Sequence, residues 1–223
     1  MRLGSMFSTK EKKTKPSAPT KSKPSAEKEA PVAKSNVSNL KIPENIKNMI
    51  EWKNGSPVPY TFLVSMSSEL ENEPGRNAKI DIITNYLLAI ACSTPEDLIP
   101  FVFICLGELR PAHEGVKLVV GEKLIIKGIA QATGRTEKDI EKEYAFEGDL
   151  GKLAMKSKKS QSSLDSLMGR KVDPLTVRSV YKQFLDIARM EGNNVQRHKT
   201  GNIAKLLSQT KDQEAKFIIR SLG

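Results

Sequence analysis

Apolar residues along this chain recur three and four positions apart, and no stretch of useful length alternates with a period of two. That pattern excludes a sheet. It predicts an all-α fold, a multi-helix bundle of paired helical hairpins over residues 42–223. Pro59 to Leu70 reads as a helix with Phe62, Leu63 and Met66 inward, broken by Glu73-Pro74-Gly75. Ala78 to Cys92 carries an apolar stripe of Ile80, Ile83, Leu87, Ile90 and Ala91. Thr94 is the expected cap of the next helix, with Pro95 at its first position and Leu98, Val102, Ile104, Cys105 and Leu109 along it, stopping before Pro111. Gly121 to Thr133 is a helix with Leu124, Ile125, Ile129 and Ala132 inward, closed by Gly134. Thr136 and Asp139 cap the one after, which Gly148 closes. Gly148-Asp149-Leu150-Gly151 therefore reads as a helix stop followed by a cap. Lys152 to Met155 reads as one short turn, and the Ser- and Lys-rich run from Lys156 to Arg170 as a mobile connector.

The last fifty residues carry the chemistry. Asp173-Pro174 reads as a helix start, with Val177, Val180, Phe184, Ile187 and Ala188 on one stripe. Gly192 is expected to end that helix in the left-handed conformation, and Asn193 and Asn194 to cap the next helix. This second helix carries Arg197, His198, Lys199 and Lys205 on one side and Ile203, Leu206 and Leu207 on the other. A third starts at Thr210 with Gln213 completing a capping box. It buries Ala215, Ile218 and Leu222 and shows Lys211, Lys216 and Arg220. A turn that exposes backbone N–H groups beside Arg and Lys suits a phosphate, because the helix dipole also favours negative charge there. The plainer reading is a helical hairpin with a solvated basic face.

The charge is unevenly spread. Residues 1–41 carry a net +7, residues 42–150 a net −6 and residues 151–223 a net +9. A basic region on one part of a fold is the footprint of a phosphate-backbone binder. Residues 1–41 are rich in Lys, Ser, Pro, Ala and Thr with Phe7 as the one aromatic, a composition expected to stay disordered. Lys10-Glu11-Lys12-Lys13-Thr14-Lys15 fits a nuclear-import signal, so the expected compartment is nuclear; a mitochondrial presequence fits less well, since Arg2 is the tail's one Arg. No apolar run approaches the ~18 residues of a membrane helix, and residues 1–15 lack a secretory apolar region. The Asn36-Val37-Ser38 sequon is therefore expected to go unused. Cys92 and Cys105, both in apolar helical contexts, read as buried packing residues in a reducing compartment. His113 and His198 lie far apart without metal-spaced partners, so no zinc site is expected. No strand precedes Gly121, Gly128 and Gly134, and no Gly-rich segment ends in Gly-Lys-Ser/Thr, so neither a dinucleotide fingerprint nor a P-loop is present.

Several blocks resemble one family in its own order: Trp52-Lys53 with Val58-Pro59-Tyr60, then Thr94-Pro95-Glu96-Asp97-Leu98-Ile99-Pro100. Val120-Gly121-Glu122 through Ala130-Gln131-Ala132-Thr133-Gly134-Arg135 is the third block, and Gly148-Asp149-Leu150-Gly151 the fourth. The last are Phe184-Leu185-Asp186-Ile187-Ala188-Arg189 with Gly192 and Lys199, and Glu214-Ala215-Lys216-Phe217-Ile218-Ile219-Arg220-Ser221-Leu222. Over roughly residues 52–223 the chain is similar to the N-terminal DNA-binding domain of eukaryotic and archaeal ATP-dependent DNA ligases. The resemblance implies sequence-independent binding of double-stranded, nicked DNA across the minor groove, in replication, repair and recombination. It implies contacts from Gly192, Asn193 and Asn194 as donors and from Arg197, Lys199, Lys205 and Arg220 as charges. Two features depart from the family pattern: Thr200-Gly201 interrupts the basic helix, and Asn193, Asn194 and Val195 stand where small hydroxyl residues are common.

The resemblance also bounds the activity. Ligases of this type form an adenylate on the Lys of a Lys-x-Asp-Gly motif, and this sequence has no Asp-Gly dipeptide. Catalytic residues, a metal and a cofactor are therefore not expected in this chain; ATP and Mg2+ would belong to a catalytic domain. Family members continue past the equivalent of Gly223, so the chain reads as a fragment or a stand-alone relative that should not seal a nick alone. A sliding-clamp peptide is reduced to Met6-Phe7 here, which makes the clamp a weaker candidate partner; no membrane partner is expected, and the expected state is a monomer. Two other classes compete: a helical protein-interaction scaffold with an incidental basic face, and a sequence-specific helix-turn-helix binder. Beyond Asn194 and Arg197 the second helix offers few base-reading residues at its start.

Overall fold

In a computed structural model, residues 43–167 and 173–223 are described, and they form ten α-helices joined by short turns. The helices are α1 (Glu44–Met49), α2 (Tyr60–Asn72), α3 (Arg76–Ser93), α4 (Leu98–Leu106), α5 (Glu122–Thr133), α6 (Glu137–Glu147), α7 (Leu150–Leu167), α8 (Val177–Ala188), α9 (Val195–Ser208) and α10 (Asp212–Leu222). No strand occurs among the described residues; the nearest thing is an isolated antiparallel bridge between Pro59 and Thr176. The fold is all-α, as the periodicity requires. The expected tail at 1–41 lies outside the described residues.

Gly134 and Gly148 stop their helices where the sequence puts them, whereas α4, expected to continue past Leu109 toward Pro111, already stops at Gly107. Gly107, Gly134 and Gly148 close α4, α5 and α6 in the left-handed region, with φ of 69°, 71° and 68°. Thr136 caps α6 by accepting the Asp139 N–H at 3.2 Å. Asp149 caps α7, its Oδ1 accepting the N–H groups of Gly151 (2.8 Å) and Lys152 (3.1 Å). One apolar core runs through the described residues, centred on Tyr60, Phe101, Ile125, Ile129, Leu153, Phe184, Ile187, Ile203 and Ile218.

Several expectations need correction. The Lys156-to-Arg170 connector is helix through Leu167, continuous with the supposed short turn; 168–170 lie outside the described residues. Leu150, Leu153 and Ala154 seat α7 against α10, and the buried Lys158 sends its ammonium to the Ser208 carbonyl at 3.4 Å. A long cationic side chain thus covers apolar surface along its stem while its head stays polar. In α3, Ile80 and Ile83 are exposed, whereas Tyr86, Ala89 and Ile90 are buried. In α4, Phe101 and Ile104 are buried, while Val102 and Cys105 are exposed; Leu109 is buried but lies beyond the helix. Cys92 is half-buried, so neither cysteine is the buried packing residue expected. Thr94 does not cap through its side chain: it accepts from the Trp52 indole at 3.3 Å and donates to the Ser56 carbonyl at 2.8 Å, ahead of a 3-10 turn at Pro95–Asp97.

The start of α8 also moves. Pro174 is not its first residue; Thr176 is the cap, in a reciprocal capping box with Ser179. The residues before it are held extended instead, because the Tyr60 N–H donates to the Leu175 carbonyl at 2.8 Å and the Val177 N–H to the Val58 carbonyl at 2.9 Å. Asp97, fully buried, completes this junction by accepting from the Val58 N–H and from Arg178 Nε, both at 2.7 Å. Likewise α10 begins at Asp212 rather than Thr210. The Lys211 N–H donates to Glu214 at 2.7 Å, and the buried Thr210 hydroxyl returns to the Leu207 carbonyl at 2.7 Å.

Candidate functional site

The helix pair α5 and α9 builds the site. Gly128 on α5 permits the approach: a Cβ placed there would meet Ile203 Cγ2 of α9 at 2.5 Å. Ile125, Ile129, Ile203 and Leu206 fill the seam. The helices thereby present Lys127 and Gln131 of α5 alongside Arg197 and Thr200 of α9.

The turn into α9 supplies the rest. α8 ends at Ala188 with Arg189 at the cap, three residues earlier than a stop at Gly192 would place it. Gly192 is nonetheless left-handed at φ 99°, and Asn194 at φ 63° is the one non-Gly residue with positive φ among those described. Asn tolerates that region better than most residues. Asn194 occupies the N-cap position of α9, but its side chain makes no capping hydrogen bond. Its carbonyl accepts the His198 N–H at 3.1 Å, so helix geometry leaves the N–H groups of Val195, Gln196 and Arg197 without intrahelical acceptors.

These parts enclose an open hollow of about 730 Å³, lined by Lys127, Gln131 and Leu124 from α5 and by residues 192–197 and Thr200. No carboxylate lines it. Among the described residues Lys127 and Arg197 have no ion-pair partner, and both are exposed. Two cations, a helix N-terminus and the Asn193 and Asn194 amides are a donor set chemically suited to an anion.

Of the sequence-predicted site residues, Gly192, Asn193, Asn194 and Arg197 come together here. Lys199 is half-buried and does not line the hollow. Lys205 lies on another part of α9, in a smaller recess with Asp186 and Gln183. Arg220 is elsewhere again, ion-paired to Glu71 and, at 2.5 Å, to Asp149. Lys216 joins it on Glu71 at 2.5 Å. Burial would push Glu71 up, but hydrogen bonds from Lys216 and Arg220 outweigh it and hold the carboxyl below its usual value. Asp149 is held low against its own burial, chiefly by Arg220. Sequence reasoning missed Lys127 and Gln131. Their signal was available: they lie four apart, on one helix face, beside the Gly128 that marks a close helix approach.

An all-helical domain whose helix–turn–helix corner gathers exposed cations and free backbone N–H groups is the class that fold and site define. The DNA ligase N-terminus family matches residues 59–223. The chain belongs to that family, as the N-terminal domain of an ATP-dependent DNA ligase. It is 38% identical over 171 residues to DNA ligase 1 of Arabidopsis thaliana, covering 77% of this chain and 21% of that protein. It is 36% identical to DNA ligase 1 of Dictyostelium discoideum, over 77% of this chain and 14% of that protein. Against DNA ligase 2 of Thermofilum pendens it is 35% identical, over 74% of this chain and 28% of that protein. The chain thus spans less than a third of the length of these relatives.

Proposed function

We propose that this domain grips double-stranded DNA at a nick, without regard to sequence, on behalf of a nuclear ATP-dependent ligase acting in replication, repair and recombination. The observation that carries the reading is the carboxylate-free hollow where Lys127, Arg197 and the free N–H groups of α9 converge. Such donors suit phosphate and sugar oxygens, which carry no sequence information, and a nick occurs in any sequence. Sealing would be the work of a catalytic domain that binds ATP and Mg2+. In this reading Gly192, Asn193, Asn194, Arg197 and Lys127 are the primary contacts, Lys199 and Lys205 add field, and Arg220 holds the fold.

Fluorescence anisotropy on nicked and intact duplexes of two unrelated sequences, across a salt series, tests this. Affinity should fall steeply with salt, by about 0.9 in the logarithmic slope per phosphate contacted, and equally for both sequences. A large preference for one sequence would point to a sequence reader, and no binding at low salt would sink the reading. One observation favours a protein-interaction scaffold as the second reading: Ile99, Val102 and Leu106, on one face of α4, are all exposed. A scaffold would show no salt-dependent DNA binding.

A further inference from the structure

A second hollow, of about 440 Å³, lies between the segment entering α2 and the faces of α2 and α3. Its chemistry is opposite to that of the first. Trp52, Phe62 and Tyr86 form one aromatic cluster in its wall: the Trp52 and Phe62 rings meet edge to face at 4.7 Å, and Phe62 and Tyr86 lie 4.5 Å apart. Met49 and Ile82 extend the apolar surface, while Glu51 and Glu69 supply carboxylates; no Lys, Arg or His lines the hollow. Glu69 is fixed in place by accepting the Tyr86 hydroxyl at 2.6 Å. Trp52 is oriented by its indole bond to Thr94. Both carboxylates remain exposed and neither has an ion-pair partner among the described residues.

We propose that this hollow binds a lysine or arginine side chain of a basic peptide segment in a partner protein. An apolar stem with a cationic head is the shape the wall requires: aromatic surface covers the methylene chain and attracts the cation, and two carboxylates stand ready for the head. The lining itself agrees, since two carboxylates and no cation face the hollow and favour a cationic segment there. Nucleic acid is disfavoured here by the same two carboxylates. The occupant is a peptide rather than a free polyamine, because the apolar wall rewards a side chain whose backbone end also packs.

Trp52 is the single tryptophan of the chain, so its emission reports on this hollow directly. The intact chain is titrated with a blocked peptide of alternating Ala and Lys, the matching Ala and norleucine peptide, and spermidine. The Lys peptide should change Trp52 emission saturably; Glu51→Gln should weaken it about five- to tenfold, and Phe62→Leu, which keeps an apolar side chain, should weaken it by about threefold. Three outcomes overturn the proposal: no saturable change with the Lys peptide, equal binding of the norleucine peptide, or unchanged affinity in Glu51→Gln. Spermidine binding as tightly as the peptide would overturn the peptide assignment. Circular dichroism of each variant separates a lost site from a lost fold.

Discussion

Two corners of this domain hold clustered cations, and they use them differently. At one, Arg220 and Lys216 of α10 are closed by Glu71 and Asp149, and both cations also lie over the Phe217 ring, at 5.9 and 5.0 Å. At the other, Lys127 and Arg197 face an open hollow that no carboxylate lines. A run of basic residues in the sequence looks alike in both places. Partnering distinguishes them: a cation already neutralised ties the fold together, and one left open is available to something outside.

The sharpest way to break this comparison carries no charge at all. Gly128→Val should push α5 off α9, costing about 1–3 kcal/mol of stability by overpacking and separating Lys127 from Arg197. Urea unfolding and DNA anisotropy should both fall, whereas a pure charge model expects DNA binding to survive. Next in size, Lys127→Ala with Arg197→Ala should lower DNA affinity roughly tenfold, and the salt slope by about two phosphates' worth, without moving the urea midpoint. Arg220→Ala should do the reverse: about 1 kcal/mol or less of stability, because the pairs are partly exposed, with the salt slope unchanged. If Arg220→Ala instead flattens the slope, the division between the two corners is wrong.

The pH dependence originates in the paired corner. Glu71 and Asp149 are depressed in the fold relative to ordinary values of 4.5 and 3.8. Their contribution is therefore present above those values and is lost as pH falls through the lower folded ones. Acid titration should show this loss in the parent chain and a smaller one in Arg220→Ala. The smallest expected effect is at the turn: Asn194→Gly should change stability by only a few tenths of a kcal/mol in either direction, since φ 63° suits Gly at least as well as Asn. Its DNA affinity should fall only slightly, because the Asn194 side-chain amide is lost while the N–H groups of α9 and both cations remain.

The helical class and the stops at Gly134 and Gly148 were readable in the sequence because those glycines act locally, while the early stop of α4 at Gly107 was not read there. Where a tertiary partner decides, the sequence was silent. α7 looked like a connector because its Ser and Lys residues carry no apolar stripe past Ala154; α10 supplies the packing that makes it a helix. Gly151 shows how close that packing is, since a Cβ there would meet the Lys216 carbonyl at 2.7 Å. In α3 and α4 nearly every face is apolar, so periodicity could not say that Ile80 and Val102 face outward. α8 starts late because Val58 and Tyr60, far away in the chain, claim the backbone around Leu175. The candidate site was half legible: the turn and Arg197 announce themselves, but Lys127 joins them only through the α5–α9 seam.

That distant claim has a consequence for how the protein is made. The backbone at Val58 and Tyr60 has its partners at Leu175 and Val177, and the buried Asp97 waits for Arg178. A ribosome adding ~5–20 residues each second exposes the early helices for on the order of ten seconds before those partners emerge. During that interval Asp97 has no counter-charge, so the nascent chain stays unlatched until α8 has been synthesised.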